Sequence, residues 1–210
     1  MKAINNIEIK DSYSSKNAIK TLKNGGVVLI PTDTVIGLCC LPIFENAIDK
    51  IFKLKGRDRN QNLPIMVSKA HQLQELGLSL NASAIKLLES DHMPGPLTLI
   101  LGFDKKKTRP QWLMTRDEIG VRMPNDTRLL QIIDNVGPIL MTSANKHGSS
   151  VIHNDEQTIL AELDGIPDLI IPGKRQHSSA STIVNVRFDQ WAIEREGGIS
   201  KIEIDQILSN

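Results

Sequence analysis

A chain of 210 residues is long enough for one good hydrophobic core. Its 40% apolar and 23% charged residues are ordinary for a soluble globular protein, but aromatics reach only 3%, so the core must rest on Ile, Leu, Val and Ala, which argues against a surface built on base stacking. Lys and Arg number 25 against 24 Asp and Glu, a formal charge of +1; general affinity for nucleic-acid phosphates needs a positive excess, so any anion site must be local.

The opening stretch MKAINNIEIKDSYSS has no signal-peptide pattern. Nowhere do about 18 apolar residues follow one another, so no helical membrane span is expected. The first helix is predicted from about Ser15 to Asn24, with Ala18, Ile19 and Leu22 at helical spacing and Gly25-Gly26 as its stop. Val27 to Ile30 reads as a buried strand closed by Pro31. Cys39 and Cys40 are adjacent, and neighbours on a strand point to opposite faces, so no bridge joins them. Reduced thiols and a cytoplasmic setting fit that arrangement.

A second helix is predicted over Glu45 to Leu54, with Ala47, Ile48, Ile51 and Phe52 on one face, and a strand over Leu63 to Val67. Helical patterns follow near His71–Leu76 and Ala82–Ser90, before Pro94-Gly95-Pro96 and the apolar strand Leu97 to Leu101. Beyond a polar loop carrying Lys105, Lys106, Lys107 and Arg109, a strand is expected at Gly120–Met123, a helix at Thr127–Asn135 and a strand at Ile139–Thr142. Asn145 to Asp155 reads as loop, and later strands are expected at Leu169–Ile171, Thr182–Val186 and Ala192–Arg195. Ser200 with Glu203 makes a capping box for a last helix. Strands and helices alternate without strict order, which predicts a single mixed α/β or α+β domain over residues 1–210.

Five polar clusters sit where strands meet loops. Pro31-Thr32-Asp33-Thr34 follows a strand and fits turn chemistry first, with a site as the alternative. Lys53, Lys55, Arg57 and Arg59 complement a helix C-terminus, or converge past Gly56 on a polyphosphate. Arg122 lies inside an apolar strand, where a charge is costly unless it meets a salt bridge or a ligand. Thr142-Ser143-Ala144-Asn145 offers small hydroxyl and amide groups, as a turn or as phosphate and ribose contacts. Ser178-Ser179-Ala180-Ser181-Thr182 opens a strand, and Arg195 closes a later one before Gly197-Gly198.

Taken in order, these stretches resemble the YrdC/TsaC family, the threonylcarbamoyl-adenylate synthases. The matching segments are PTDTVIGL (31–38), KLKGRDRNQNLPIMV (53–67), PGPLTLIL (94–101), VRMPN (121–125), PILMTSANKHG (138–148), STIVNV (181–186) and REGG (195–198). Lys-x-Arg followed far downstream by Ser-x-Asn is that family's signature. The resemblance implies an open, twisted α/β sheet around a concave, positively charged cleft. It implies a threonine site of Thr34, Arg122 and Ser181, and an ATP site of Lys55, Arg57, Ser143, Asn145 and Arg195, with Lys55 and Arg57 as the catalytic pair. Family members commonly carry Tyr where this chain has Ile36 and Pro where it has Asp58. One branch has His where it has Met66. With no linker and second domain after Arg195, the chain resembles the short, single-domain form.

The implied reaction joins L-threonine, bicarbonate or carbon dioxide and ATP to threonylcarbamoyl-adenylate and pyrophosphate. The product would pass to a transferase complex that makes N6-threonylcarbamoyladenosine (t6A) in tRNA. No protein nucleophile is evident, so catalysis would be positioning and charge stabilisation. Mg²⁺ is expected through the ATP phosphates, and the five histidines show no zinc-ligand spacing. Two alternatives stand beside this reading. One is an RNA-binding translation factor, with weak RNA or tRNA binding, which the basic cluster at 50–59 supports and the neutral net charge and scarce aromatics oppose. The other is a divergent relative with hydrolytic or carbamoyl-transfer activity, against which the intact Ser143-Ala144-Asn145 argues.

Overall fold

The computed structural model describes residues 15–59, 61–146, 153, 155–173 and 179–209. The first half contains α1 (Ser15–Lys23), β1 (Val28–Ile30), β2 (Gly37–Cys40), α2 (Glu45–Lys55), β3 (Ile65–Met66), α3 (His71–Glu75), α4 (Ala82–Leu88) and β4 (Leu97–Gly102). A 3-10 turn (Gln111–Leu113) leads to β5 (Glu118–Arg122), α5 (Thr127–Val136), β6 (Ile139–Ser143) and α6 (Glu156–Glu162). The chain then forms β7 (Leu169–Ile170), β8 (Thr182–Asn185), β9 (Ala192–Arg195) and α7 (Lys201–Ser209). The expected mixed α/β class holds.

The nine strands of the described residues join one mixed sheet in the order β7-β1-β2-β6-β3-β5-β4-β8-β9. Strand β6 lies antiparallel between β2 and β3, with Leu38 opposite Thr142 and Ile65 opposite Leu140. Strand β4 lies between β5, antiparallel, and β8, parallel. Two elements were not anticipated. Strand β2 is the run Gly-Leu-Cys-Cys, and α6 is started by Asp155, whose side chain accepts from the Thr158 N–H at 2.8 Å. The expected capping box at α7 forms: the Ser200 N–H donates to Glu203 Oε2 at 2.8 Å and the Glu203 N–H to Ser200 Oγ at 3.3 Å.

Alternation along the strands sorts the sheet into two faces. On one face Leu29, Leu38, Cys40, Ile65, Leu140, Val121, Leu99 and Val184 share a core with residues of α2, α4, α6 and α7. On the other, Val28, Ile30, Cys39, Met66, Ile139 and Met141 pack with Ala18 and Leu22 of α1 and Leu129, Ile132 and Ile133 of α5. Cys39 and Cys40 thus point into different cores, both free and buried, and burial holds both thiols well above their usual range. Helices α1 and α5 pack against each other and cover only the half of this second face nearer β1. Over β5, β4 and β8 the residues of that face are Thr98, Ile100, Gly120, Arg122 and Ile183, and they line a cavity instead. The cleft is the uncovered half of a two-sided sheet.

Candidate functional site

That cavity measures about 730 Å³, within the size range of small-molecule sites. Thr34, Lys55, Arg57, Arg122, Ser143, Asn145, Ser181 and Arg195, the eight residues singled out in the sequence, all line it. Five cationic side chains (Lys55, Arg57, Arg122, Lys146, Arg195) face two carboxylates (Glu118, Glu194) across its walls. The anion-attracting field is therefore local, as the near-neutral net charge requires.

Helix α2 delivers the first pair of cations. Gly56 takes the left-handed conformation, φ 57°, and the Arg57 N–H donates back to Phe52 O at 3.0 Å, so the helix closes and the chain turns towards the cleft. Lys55 is 3% exposed and donates to the carbonyls of Ser143 and, at 2.5 Å, Asn145. An ammonium has three donors, so one N–H remains for a ligand. Burial, and then the charge of Arg57, lower the Lys55 pKa to about 8. Arg57 reaches Thr142 Oγ1 at 3.3 Å and Gln61 Oε1 at 2.5 Å, and burial lowers its pKa too. The other two cations of this cluster do not join them. Lys53 is exposed, and Arg59 turns back to Glu45 and Asp49 at 2.5 and 2.7 Å.

Arg122 is 3% exposed at the end of β5. Its Nε donates to Gly95 O at 2.9 Å and its Nη1 to Thr34 Oγ1 at 2.6 Å. Nη2 lies 2.6 Å from Asp33 Oδ2 as a buried ion pair. The other carboxylate oxygen, Asp33 Oδ1, is buried with no hydrogen-bond partner among the described residues. Buried groups left this way ask for a ligand. The PTDT segment is both turn and site. Thr32 Oγ1 accepts from the N–H groups of Thr34 and Val35 at 3.0 and 3.1 Å, as a turn residue does. Its one proton goes to Val35 O at 2.7 Å, and Thr34 Oγ1 lies 3.1 Å away.

The opposite wall couples two more predicted residues. Arg195 grips Ser181 O through Nε at 3.1 Å and Nη2 at 2.8 Å, and Nη2 also reaches Ser181 Oγ at 3.2 Å. Ser181 Oγ in turn lies 2.8 Å from Thr98 Oγ1. Gly197 permits this approach, because a Cβ there would lie 2.3 Å from Ala180 O and 2.6 Å from Ser181 C. Gly197→Ala is expected to push this wall apart and cost about 1–3 kcal/mol, read by urea unfolding; an unchanged midpoint would refute the tight fit.

Asp33 and Thr98 were not anticipated as site residues. Asp33 was visible only as part of a turn motif, and Thr98 carried no signal beyond a hydroxyl in an apolar strand. Of the three departures, Met66 lines the cavity, Ile36 is a core residue whose carbonyl accepts from the Ala144 N–H at 2.8 Å, and Asp58 is exposed. His147, His177, Ser178 and most of the expected loop 145–155 lie outside the described residues.

The model of the Sua5/YciO/YrdC family, described as "Telomere recombination", matches residues 20–197. The chain belongs to this family. A Bacillus subtilis relative named threonylcarbamoyl-AMP synthase is 29% identical over 209 residues, which are 96% of this chain and 60% of that protein. The crystal structure of Pyrococcus abyssi Sua5 complexed with L-threonine superposes with a TM-score of 0.82 at 28% identity, over 94% of this chain and 58% of that one. Escherichia coli YciO superposes with a TM-score of 0.77 at 25% identity, over 92% of both chains. The chain therefore spans well under two thirds of the synthase and of Sua5, but nearly all of YciO.

Proposed function

We propose that this chain is a threonylcarbamoyl-AMP synthase acting in the cytoplasm, making the activated intermediate for t6A modification of tRNA. The observation that carries the reading is the convergence of all eight motif residues on one cavity. The name of the B. subtilis relative and the threonine held by P. abyssi Sua5 support it. The chain would accept L-threonine, bicarbonate and ATP, and a separate transferase complex would take the product.

In this reading the threonine carboxylate meets the Arg122 guanidinium, and its hydroxyl meets Thr34 or Ser181. Lys55 spends its third donor on the ATP phosphates beside Arg57, while Ser143 and Asn145 border the nucleotide. Arg195 joins the two halves, since it already holds Ser181. The neutral threonine amine captures carbon dioxide as a carbamate and loses a proton. A carbamate oxygen then bonds to the α-phosphorus as the bond to the bridging oxygen of the β-phosphate breaks. The protein supplies orientation and preset positive charge in a partly dry cleft.

The donor set bears on the metal. No three His, Cys, Asp or Glu side chains converge among the described residues. Of the cleft's carboxylates, Glu118 is engaged with Arg187 and Glu194 with Asn185. Such a cavity fits Mg²⁺ carried on the nucleotide phosphates, where it would offset their charge.

The test is pyrophosphate release from ATP with Mg²⁺ and bicarbonate, with L-threonine present, omitted or replaced by serine. Release that needs both threonine and bicarbonate is the expected result. A folded protein that releases none would refute the synthase. A second reading, a divergent relative with another group-transfer or hydrolytic activity, rests on the fold shared with YciO. ATP breakdown independent of threonine would favour it.

A further inference from the structure

Beside the cleft lies a second cavity of about 720 Å³, whose lining includes Arg59, Trp112, Thr115, Arg116, Glu118 and Arg187. Its cations are unevenly neutralised. Arg59 is held by Glu45 and Asp49. Arg187 gives Nη1 to Glu118 at 2.5 Å, while its Nε is buried with no hydrogen-bond partner among the described residues. No carboxylate among the described residues pairs with Arg116. Its Nη1 donates to Leu63 O at 3.2 Å, and its guanidinium lies 5.9 Å from the Trp112 ring centre. Burial, and then the charge of Arg59, depress its pKa against the opposing charge of Glu45, which also lines this cavity. Asp117, also on this wall, is exposed and its charge is solvated. A half-buried guanidinium with no carboxylate at ion-pair distance among the described residues, beside the unpartnered Nε of Arg187, has donors left for a further anion.

Position names the anion. Arg57 donates to Gln61 Oε1, and Gln61, with Asn62 and Glu118, lines both cavities. The second cavity therefore begins behind the residue assigned to the ATP phosphates. The α-phosphorus reaction expels pyrophosphate, which leaves with the bonding electron pair, and the new anion must clear the cleft. We propose that the second cavity receives this pyrophosphate, with Arg116 and Arg187 as its anchors, an inference that rests on the synthase reading above.

Inorganic pyrophosphate is titrated by calorimetry into protein saturated with a non-hydrolysable ATP analogue, which fills the first cavity. Wild-type protein is expected to bind it. Arg116→Ala should weaken that binding about tenfold, the loss of one charge-assisted contact, with the analogue's own Kd within about twofold of wild type. Thr115→Glu, which adds a carboxylate at an exposed position of the same wall, should weaken it similarly without touching Arg116. No pyrophosphate uptake by the analogue-saturated protein, or uptake indifferent to both substitutions, overturns the second site. If the analogue itself fails to bind, the ATP reading falls instead. Pyrophosphate titrated into the free protein, with and without Arg116→Ala, then decides the anion site by the same tenfold criterion.

Discussion

Replacing Lys55 by alanine is expected to lower turnover about 10²-fold, the loss typical of one charge-stabilising donor in a water-poor site. Lys55 is anchored on the two carbonyls of the Ser143–Asn145 segment, so its substitution also loosens the nucleotide wall, and KM for ATP should rise with the fall in kcat. The lowered pKa of about 8 adds a pH signature. As pH rises through 8 the free protein loses the Lys55 charge, so ATP affinity should fall above that pH. Bound phosphates favour the charged form, so binding near pH 8 should take up a proton, seen as a dependence of the binding heat on buffer ionisation. Stability moves the other way. The folded pKa lies below the ordinary 10.5, so charged Lys55 is penalised in the fold at pH below about 8, and the penalty is relieved as pH rises from 8 towards 10.5. Near-wild-type turnover in Lys55→Ala would remove this residue from the mechanism.

Most strands and helices were legible because their apolar residues repeat at periods of two or 3.6, and because glycine and proline punctuate them. Strand β2 escaped because Gly37–Cys40 has no polar alternation and adjoins the PTDT turn, which drew the eye to chemistry. Helix α6 escaped because its start depends on one Asp155 cap and its single fully buried side chain is Ile159. The candidate site was readable only through the order of its motifs: each polar cluster alone fitted a turn, a helix end or a salt bridge, and the family resemblance assigned the residues. Pairings between distant segments were not readable. That Lys55 would rest on the Ser143 and Asn145 carbonyls, that Arg59 would turn back to α2, and that Arg116 and Arg187 would share a cavity all follow from strand order. Single positions do not carry strand order. The cleft itself comes from helix coverage, since α1 and α5 shield one half of a face and leave the other half to Arg122, Thr98 and Ile183.

The buried pair Asp33–Arg122 carries the largest expected cost in stability. Asp33 is fully buried and Arg122 nearly so, and removing one partner of such a pair typically costs about 3–5 kcal/mol because the other charge is left uncompensated. Asp33→Asn is the sharper variant, since it keeps an acceptor for the Asn125 N–H, which donates to Asp33 Oδ2 at 3.0 Å. It is expected to lose about 3 kcal/mol in urea unfolding, and Arg122→Met a similar amount. The double variant should lose clearly less than the sum, because neither charge remains to be stranded. Threonine separates architecture from function in this cycle. Its carboxylate can replace the missing counter-charge in Asp33→Asn, so saturating threonine should restore part of that variant's stability. Without Arg122 the carboxylate loses its assigned partner, and neither Arg122→Met nor the double variant should gain from threonine. Additive losses would show that the pair is not coupled, and an Arg122→Met protein still stabilised by threonine would move the carboxylate site elsewhere in the cleft.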